Sequence, residues 1–251
     1  MTTYLFDLGN TRLKYAPRGD DGGLGEVFAI AHDGTSLPEG WNGALPARFD
    51  AAVLTSVGAP ALRVALLDAL AACCGRISVA RTAPCFGDLR IAYPQPEALG
   101  TDRFLAMLGA RARCPREAVL VVGIGTAITL DLVDPDGLHR GGRIAPSPAL
   151  MREALHARAA QLPEHGGAFV AFADNTADAL RSGCDGAALA LIAQALRDAE
   201  RQLGTRPALI LHGGGADALV NALAADAQQA PALVLEGLVL EGLAVWATMP
   251  A

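Results

Sequence analysis

Asp7-Leu8-Gly9-Asn10-Thr11 places a carboxylate, a glycine and two small polar groups between apolar flanks near the start of the chain. Residue types in this order suit phosphate chemistry. A glycine turn brings backbone N–H groups close to an anion with no side chain in the way. A carboxylate at the end of a strand can hold magnesium through water. A second stretch, V-L-V-V-G-I-G-T-A-I-T-L-D from Val119 to Asp131, repeats the pattern of strand, glycine turn and strand. Laid over the first, Gly123 falls on Asp7, Gly125 on Gly9, Thr126 on Asn10 and Ala127 on Thr11. No G-x-x-x-x-G-K-[ST] run occurs, so a P-loop is not the cradle. Two ordinary hairpin turns explain the same residues, and both readings stand at this level.

The elements around these turns follow from periodicity and punctuation. Tyr4–Asp7 and Arg12–Tyr15 read as a hairpin, 17–25 as a Gly/Asp-rich loop, and Val27–Ala31 as a strand. Ala51–Ser56 reads as a buried strand. Pro60 opens a helix to about Cys73, with Leu62, Leu66, Leu67 and Leu70 at helical spacing. Ile77–Ala80 is a strand candidate, and a helix is expected over Glu97–Arg113. After Cys114-Pro115 the plan repeats: a hairpin over 119–133, a strand over 138–145, and a helix from Pro148. A long helix is expected around 176–203 and a strand over Pro207–Leu211. A glycine turn at 212–215 and helices near 216–225 and 236–247 complete the chain. Two α/β halves, each opening on a glycine hairpin, imply a duplicated fold with a ligand cleft between them.

Bulk properties narrow the function classes. The 251 residues are 52% hydrophobic and 18% charged, enough apolar material for a large core. A formal net charge of −6 without a basic block weighs against nucleic acid and anionic membrane as partners. Five cysteines without C-x-x-C spacing read as reduced, packed thiols. The N-terminal residues do not read as a signal peptide, and no run of about 18 apolar residues occurs. The expectation is a soluble, cytoplasmic protein.

Five blocks, taken in order, resemble type III pantothenate kinases: D-L-G-N-T-R-L-K (Asp7–Lys14), G-T-D-R (Gly100–Arg103), G-T-A-I-T-L-D (Gly125–Asp131), G-G-R-I-A-P (Gly141–Pro146) and N-T-A-D-A-L (Asn175–Leu180). H-G-G-G-A-D (His212–Asp217) and L-V-L-E-G-L (Leu233–Leu238) carry the likeness towards the C-terminus. The family belongs to the acetate and sugar kinase/Hsp70/actin superfamily. The resemblance therefore implies an α/β fold of duplicated actin-like (ribonuclease H-like) halves, with nucleotide bound in the cleft. It implies ATP-dependent phosphorylation of pantothenate to 4'-phosphopantothenate, the first step towards coenzyme A.

Site roles come from the same likeness. Asp7, Leu8, Gly9, Asn10, Thr11, Arg12, Leu13 and Lys14 match the first phosphate loop, with Asp7 organising Mg2+, and Thr126 matches a nucleotide contact. Asp102 matches the catalytic base that takes the hydroxyl proton of pantothenate; without the likeness it reads as a helix N-terminal acid. Tyr93, Gly100, Thr101, Asp102, Arg103 and Thr176 match pantothenate contacts, Arg103 being suited to its carboxylate. On local sequence alone Arg103 reads equally as a solvent-facing helix charge, Tyr93 as a core aromatic and Thr176 as a helix N-cap. In the family the threonine comes from the neighbouring subunit, which implies a homodimer. Asp217 reads as shaping the adenosine side or as a helix cap. The halves are expected at 1–114, with the first loop and the base, and 115–251, with the second loop, adenosine side and dimer contacts.

Two departures stand out. The family has an aspartate that binds a monovalent cation where this chain has Gly123, so a potassium or ammonium site lacks its side-chain ligand. Asp131 lies on the order of 15 Å along the return strand, a poor replacement. Ser147 stands where the family has glycine, and with Pro148 behind it the loop is restricted. A weakly active relative with a regulatory or binding role is the competing expectation, since some relatives are associated with transcriptional accessory roles. A superfamily kinase for another small alcohol is a third, against which Tyr93 and Gly100–Arg103 speak.

Overall fold

Strand order is the same in both five-stranded sheets, a consequence of two hairpins that each begin an α/β repeat. A computed structural model of the chain describes residues 1–225 and 232–248. The first sheet is built from β1 (Thr3–Leu8), β2 (Arg12–Arg18), β3 (Phe28–Ala31), β4 (Phe49–Ser56) and β5 (Cys74–Val79), in the order β3-β2-β1-β4-β5. After the short pair β6 (Cys85–Phe86) and β7 (Leu89–Arg90), the second sheet uses β8 (Val119–Ile124), β9 (Ala127–Val133), β10 (His139–Pro146), β11 (Ala208–His212) and β12 (Ala232–Val234). Its order is β10-β9-β8-β11-β12. In each sheet the hairpin is antiparallel and the next strand pairs in parallel with the hairpin's first strand.

The chain divides into two compact units: Met1–Pro115 with Asp136–His139 and the segment from Gly237, and Arg116–Pro135 with Arg140–Glu236. Helices α1 (Pro60–Ala71), α2 (Thr101–Arg113) and α6 (Leu238–Trp246) belong to the first; α3 (Pro148–Arg158), α4 (Thr176–Leu203) and α5 (Ala216–Ala225) to the second.

In the first unit alternation along β1 sends Phe6 and Leu8 to one face, where they meet Leu62, Leu66 and Leu70 of α1. Asp7 therefore points to the opposite face, the side of the sheet that meets α2 and α6. The second unit follows the same logic. Leu120, Val122 and Ile124 of β8 pack on Ile192, Ala195 and Leu196 of α4. Every residue of β8 is buried, as a central strand covered on both faces requires.

Helix α2 starts at Thr101 rather than near Glu97. Pro96–Ala98 forms a single 3-10 turn, and Leu99 and Gly100 then take extended ψ values of 127° and 133°. Pro96 biases Gln95 away from helix, so the Pro-rich approach delays the start and leaves Asp102 in the first turn. Strand β12 and the β6–β7 pair carry too short a pattern to be read from periodicity.

α2 is held by close contact with α6. The two helices are pinned at one end by Arg113, whose Nε and Nη2 reach both oxygens of Glu241 at 2.8 and 2.7 Å. Where they cross, a Cβ on Gly242 would run into the main-chain carbonyl of Leu105, and one on Gly109 would lie 2.5 Å from that of Leu238. Backbone cannot move aside as a side-chain tip can. Gly242→Ala is expected to destabilise the protein by about 3 kcal/mol or more through overpacking. Gly186→Ala on α4, where nothing lies within 4 Å, should stabilise by roughly 0.5–1 kcal/mol. Urea midpoints at unchanged m-value measure both.

Candidate active site

The first turn sits where β1 ends. The Gly9 N–H closes the hairpin on the Arg12 carbonyl at 3.0 Å, which leaves Asn10 and Thr11 at the exposed tip. Leu8 and Leu13 are fully buried, so only their main chain faces a ligand. The turn is braced from β3's end. The Gly34 N–H donates to His32 Nδ1 at 3.1 Å, leaving Nε2 as the donor to the Gly9 carbonyl at 3.1 Å. His32 carries no sequence signal that would have marked it.

Three residues form a row across the sheet at this level: Lys14 on β2, Asp7 on β1 and Thr55 on β4, each directly opposite the next. Asp7 keeps part of its surface open, yet its carboxyl is desolvated enough to be raised from 3.8 to about 7. Burial is the main cause; Lys14 opposes it and the nearby Asp102 charge adds to it. Thr55 is completely buried and its hydroxyl has no hydrogen-bond partner among the described residues. A polar pair, Thr55-Ser56, at the end of an apolar strand was the available signal for it.

Asp102 enters from the first turn of α2, partly open, with its own Oδ1 accepting the Arg103 N–H at 2.9 Å. Its charge is felt at Asp7, so the fold brings together two acids that lie far apart in sequence. Arg103 is not a solvent-facing charge. It is only 6% exposed, and its Nη1 donates to the Tyr93 hydroxyl at 3.2 Å. Tyr93 in turn stacks on His139, ring centroids 6.0 Å apart. His139 is buried and takes the Ala92 N–H on Nδ1 at 3.4 Å. Residues 136–139 return to the first unit for this purpose, bridging at Leu138 to Arg90. Nothing in the local sequence around His139 announced that contact. Gly100 and Thr101 sit at the α2 cap and first position.

The second turn belongs to the second unit. Gly125 N–H closes on the Ala127 carbonyl at 3.0 Å, and Thr126 is exposed at the tip. The glycine turn after β11 packs directly on it. Gly215 N–H donates to the Ile124 carbonyl at 3.0 Å, and Gly213, at φ +94°, lies so close that a Cβ would stand 2.5 Å from that oxygen. Asp217 lies in the first turn of α5 and is exposed. Ser147 proves to be the N-cap of α3, its hydroxyl accepting the Leu150 N–H at 3.1 Å, with Pro148 at the first helical position. Its extended φ and ψ of −70° and 161° explain why serine serves there. The cap of α4 is Asn175, not Thr176: Asn175 Oδ1 takes the Asp178 N–H at 3.0 Å. Thr176 is left exposed at the first helical residue.

Among the described residues no group of three or more His, Cys, Asp or Glu side chains forms a metal cage. Magnesium does not need one, because one or two carboxylates with substrate phosphates and water complete its shell. A desolvated Asp7 beside Asp102 fits that donor chemistry, since a bound cation relieves both the burial and the repulsion.

The type III pantothenate kinase profile matches residues 4–198. A type III pantothenate kinase of Xanthomonas campestris pv. campestris is 49% identical over 251 residues, covering 100% of this chain and 99% of that protein. Among solved structures, a Campylobacter jejuni protein described as a candidate Baf family transcriptional activator superposes with a TM-score of 0.60 at 20% identity, covering 96% and 94% of the two chains. The activator of 2-hydroxyisocaproyl-CoA dehydratase from Clostridium difficile, solved with bound ADPNP, gives 0.55 at 13% identity over 98% and 94%. These two likenesses establish a shared fold, the duplicated actin-like α/β architecture, and do not favour a regulatory role. Family profile and full-length relative agree with the residues at both turns: this chain belongs to the type III pantothenate kinase family.

Proposed function

We propose that the chain transfers the γ-phosphoryl group of ATP to the primary hydroxyl of pantothenate, with Asp102 as the base. The observation that carries this reading is the meeting of Asp102, Asp7 and Lys14 on one face of the first sheet, beside the buried Arg103–Tyr93 pair. The hydroxyl oxygen forms the new P–O bond as the bond to the β-phosphate breaks, and Asp102 takes the proton. In a loose transition state that transfer comes late, so an ordinary carboxylate suffices. Backbone N–H groups of Asn10 and Thr11, with Lys14 behind them, hold phosphate oxygens, and Thr126 adds a contact on its own unit. Asp7 would hold magnesium, which would supply charge neutralisation at the transferring phosphoryl group.

Arg103 is assigned to the pantothenate carboxylate, with Tyr93, Gly100 and Thr101 shaping its surroundings. The hydrogen bond that the guanidinium donates to the Tyr93 hydroxyl holds it in place, so less of its freedom is lost on binding. Thr176 is assigned to the substrate of a partner subunit in a homodimer. Support comes from its exposed position and from an apolar groove between α3 and α4 lined by Pro146, Leu150, Met151, Leu155, Leu180 and Cys184. Phe172, just ahead of α4 in the chain, is wholly exposed; a second copy covering the groove and this ring accounts for both. The first unit then carries the base and first loop, and the second the other loop, the adenosine side and the dimer contacts. Among the described residues no helix is long and apolar enough to cross a membrane, and a cytoplasmic setting follows from the ATP and pantothenate it uses.

The test is direct: product formation from ATP and pantothenate, with Arg103→Lys alongside. Lysine keeps the charge but loses the planar fork. The expected result is wild-type turnover and a KM for pantothenate raised by about tenfold or more, with kcat changed less. A folded wild-type protein without turnover would overturn the kinase reading, and an unchanged KM would remove Arg103 from the carboxylate.

A further inference from the structure

The two sheets carry equivalent rows at the level of their glycine turns, and the chemistry of the second row differs. In the first unit the row is Lys14, Asp7 and Thr55 on β2, β1 and β4. In the second it is Thr129, Gly123 and His212 on β9, β8 and β11, each again directly opposite the next. The family likeness implies a carboxylate at Gly123 and a monovalent cation upon it. The residues present do not fit that group. Gly123 has no side-chain donor, and the space that one would occupy is filled from both sides. A Cβ built on Gly123 would stand 2.8 Å from His212 Nε2, 3.1 Å from His212 Cε1 and 2.8 Å from Thr129 Oγ1. An aspartate at 123 would have to displace the imidazole before it could bind anything. Asp131, on the same face of β9, pairs with Val121 and so lies one row further from the turn.

We infer that the His212 imidazole, set over Gly123, takes the place of the family's carboxylate and its cation, so that phosphoryl transfer by this chain needs no potassium or ammonium. The charge balance of the row supports the exchange. Loss of the aspartate removes one negative charge and loss of the cation removes one positive, so these two losses cancel. What remains is a polar ring nitrogen fixed to the fold, at the strand end from which the two glycine turns of the second unit emerge. It need not be recruited from solution, and it is a hydrogen-bonding group for an anionic ligand there. Gly123 is glycine, on this account, because His212 requires the room.

The inference rests on the kinase reading, and the experiment separates the two. Product is quantified directly by chromatography, with choline as the only monovalent cation or with saturating potassium or ammonium. Wild-type rates are expected to agree within about twofold, and stimulation of several-fold by potassium would overturn the inference. His212→Ala is expected to lose about tenfold in rate or nucleotide affinity, and His212→Gln, which keeps an N–H at the ε position, to recover part of it. A His212→Ala variant indistinguishable from wild type would remove His212 from this role. In Gly123→Asp/His212→Ala the ring is gone and a carboxylate is present, and potassium should now activate by about fivefold or more. Affinity for a non-hydrolysable ATP analogue, measured by calorimetry in choline and in potassium, gives a readout independent of turnover. Equal affinities support the inference, and tighter binding in potassium overturns it even if pantothenate proves not to be the acceptor.

Discussion

Asp102→Asn is expected to lower kcat for pantothenate phosphorylation by about 10²–10⁴-fold, the range that positioned general bases contribute, while leaving the fold intact. Asparagine is nearly isosteric, and the position is a partly open first-turn residue of α2, so the substitution removes proton acceptance and the charge felt at Asp7 while disturbing little of the packing. The amide also cannot accept the proton through an alternative tautomer at useful cost. KM for ATP should change little if Asp102 has its proposed role, which is toward the acceptor alcohol. A helix-terminal acid serving only the dipole would behave differently: its loss costs about 0.3–1 kcal/mol of stability and leaves kcat alone. Steady-state kinetics together with a urea denaturation curve therefore distinguish the two roles. A variant that keeps wild-type kcat would show that Asp102 is not the base.

Asp7 gives the second large effect, seen in stability against pH. Its carboxyl is raised from 3.8 to about 7 in the folded chain, chiefly by burial. Between those values the folded state binds more protons than the unfolded state, so stability falls as pH rises through this interval. The full shift corresponds to about 4 kcal/mol, all of it cost to the ionised form. Asp7→Asn stands in for the protonated acid at every pH. In chelator-treated protein, the variant should match wild type near pH 4 and exceed it in stability as pH approaches 8. The measurement is the difference between their unfolding free energies across that range. A pH-independent difference would mean that Asp7 is not desolvated as the structure places it. The same variant is expected to lose most magnesium-dependent turnover, which ties the strain of the buried acid to its use. On the proposed magnesium role, the stability given up at Asp7 would be restored by the bound cation.

Much of this is legible in the chain itself. Tyr4–Asp7 and Val119–Ile124 announced strands by composition, and the glycines after them announced turns. The overlay of Gly123 on Asp7 implies a duplicated α/β plan, which the structure realises as two sheets of identical strand order. The long helix α4 was bounded correctly at Thr176 and Leu203, because Asn175 and Gly204 punctuate it with cap chemistry that acts locally. Where sequence and structure differ, the physics is equally local but weaker: Pro96 delays α2, and Ala232–Val234 is too short for periodicity to register.

Which residues are candidates for chemistry is thus set by type and order along the chain, since turn geometry, capping and alternation depend on near neighbours only. What those residues do to each other was decided by the tertiary structure. Asp7 repels Asp102 only because α2 packs on the first sheet, and Arg103 is a buried, oriented guanidinium through Tyr93 and His139. Gly123 read from sequence as a lost ligand and nothing more. Parallel pairing of β8 with β11 sets His212 beside it and turns that loss into an exchange. Contacts between strands distant in sequence are fixed by sheet register, a property of the folded chain that no local pattern encodes.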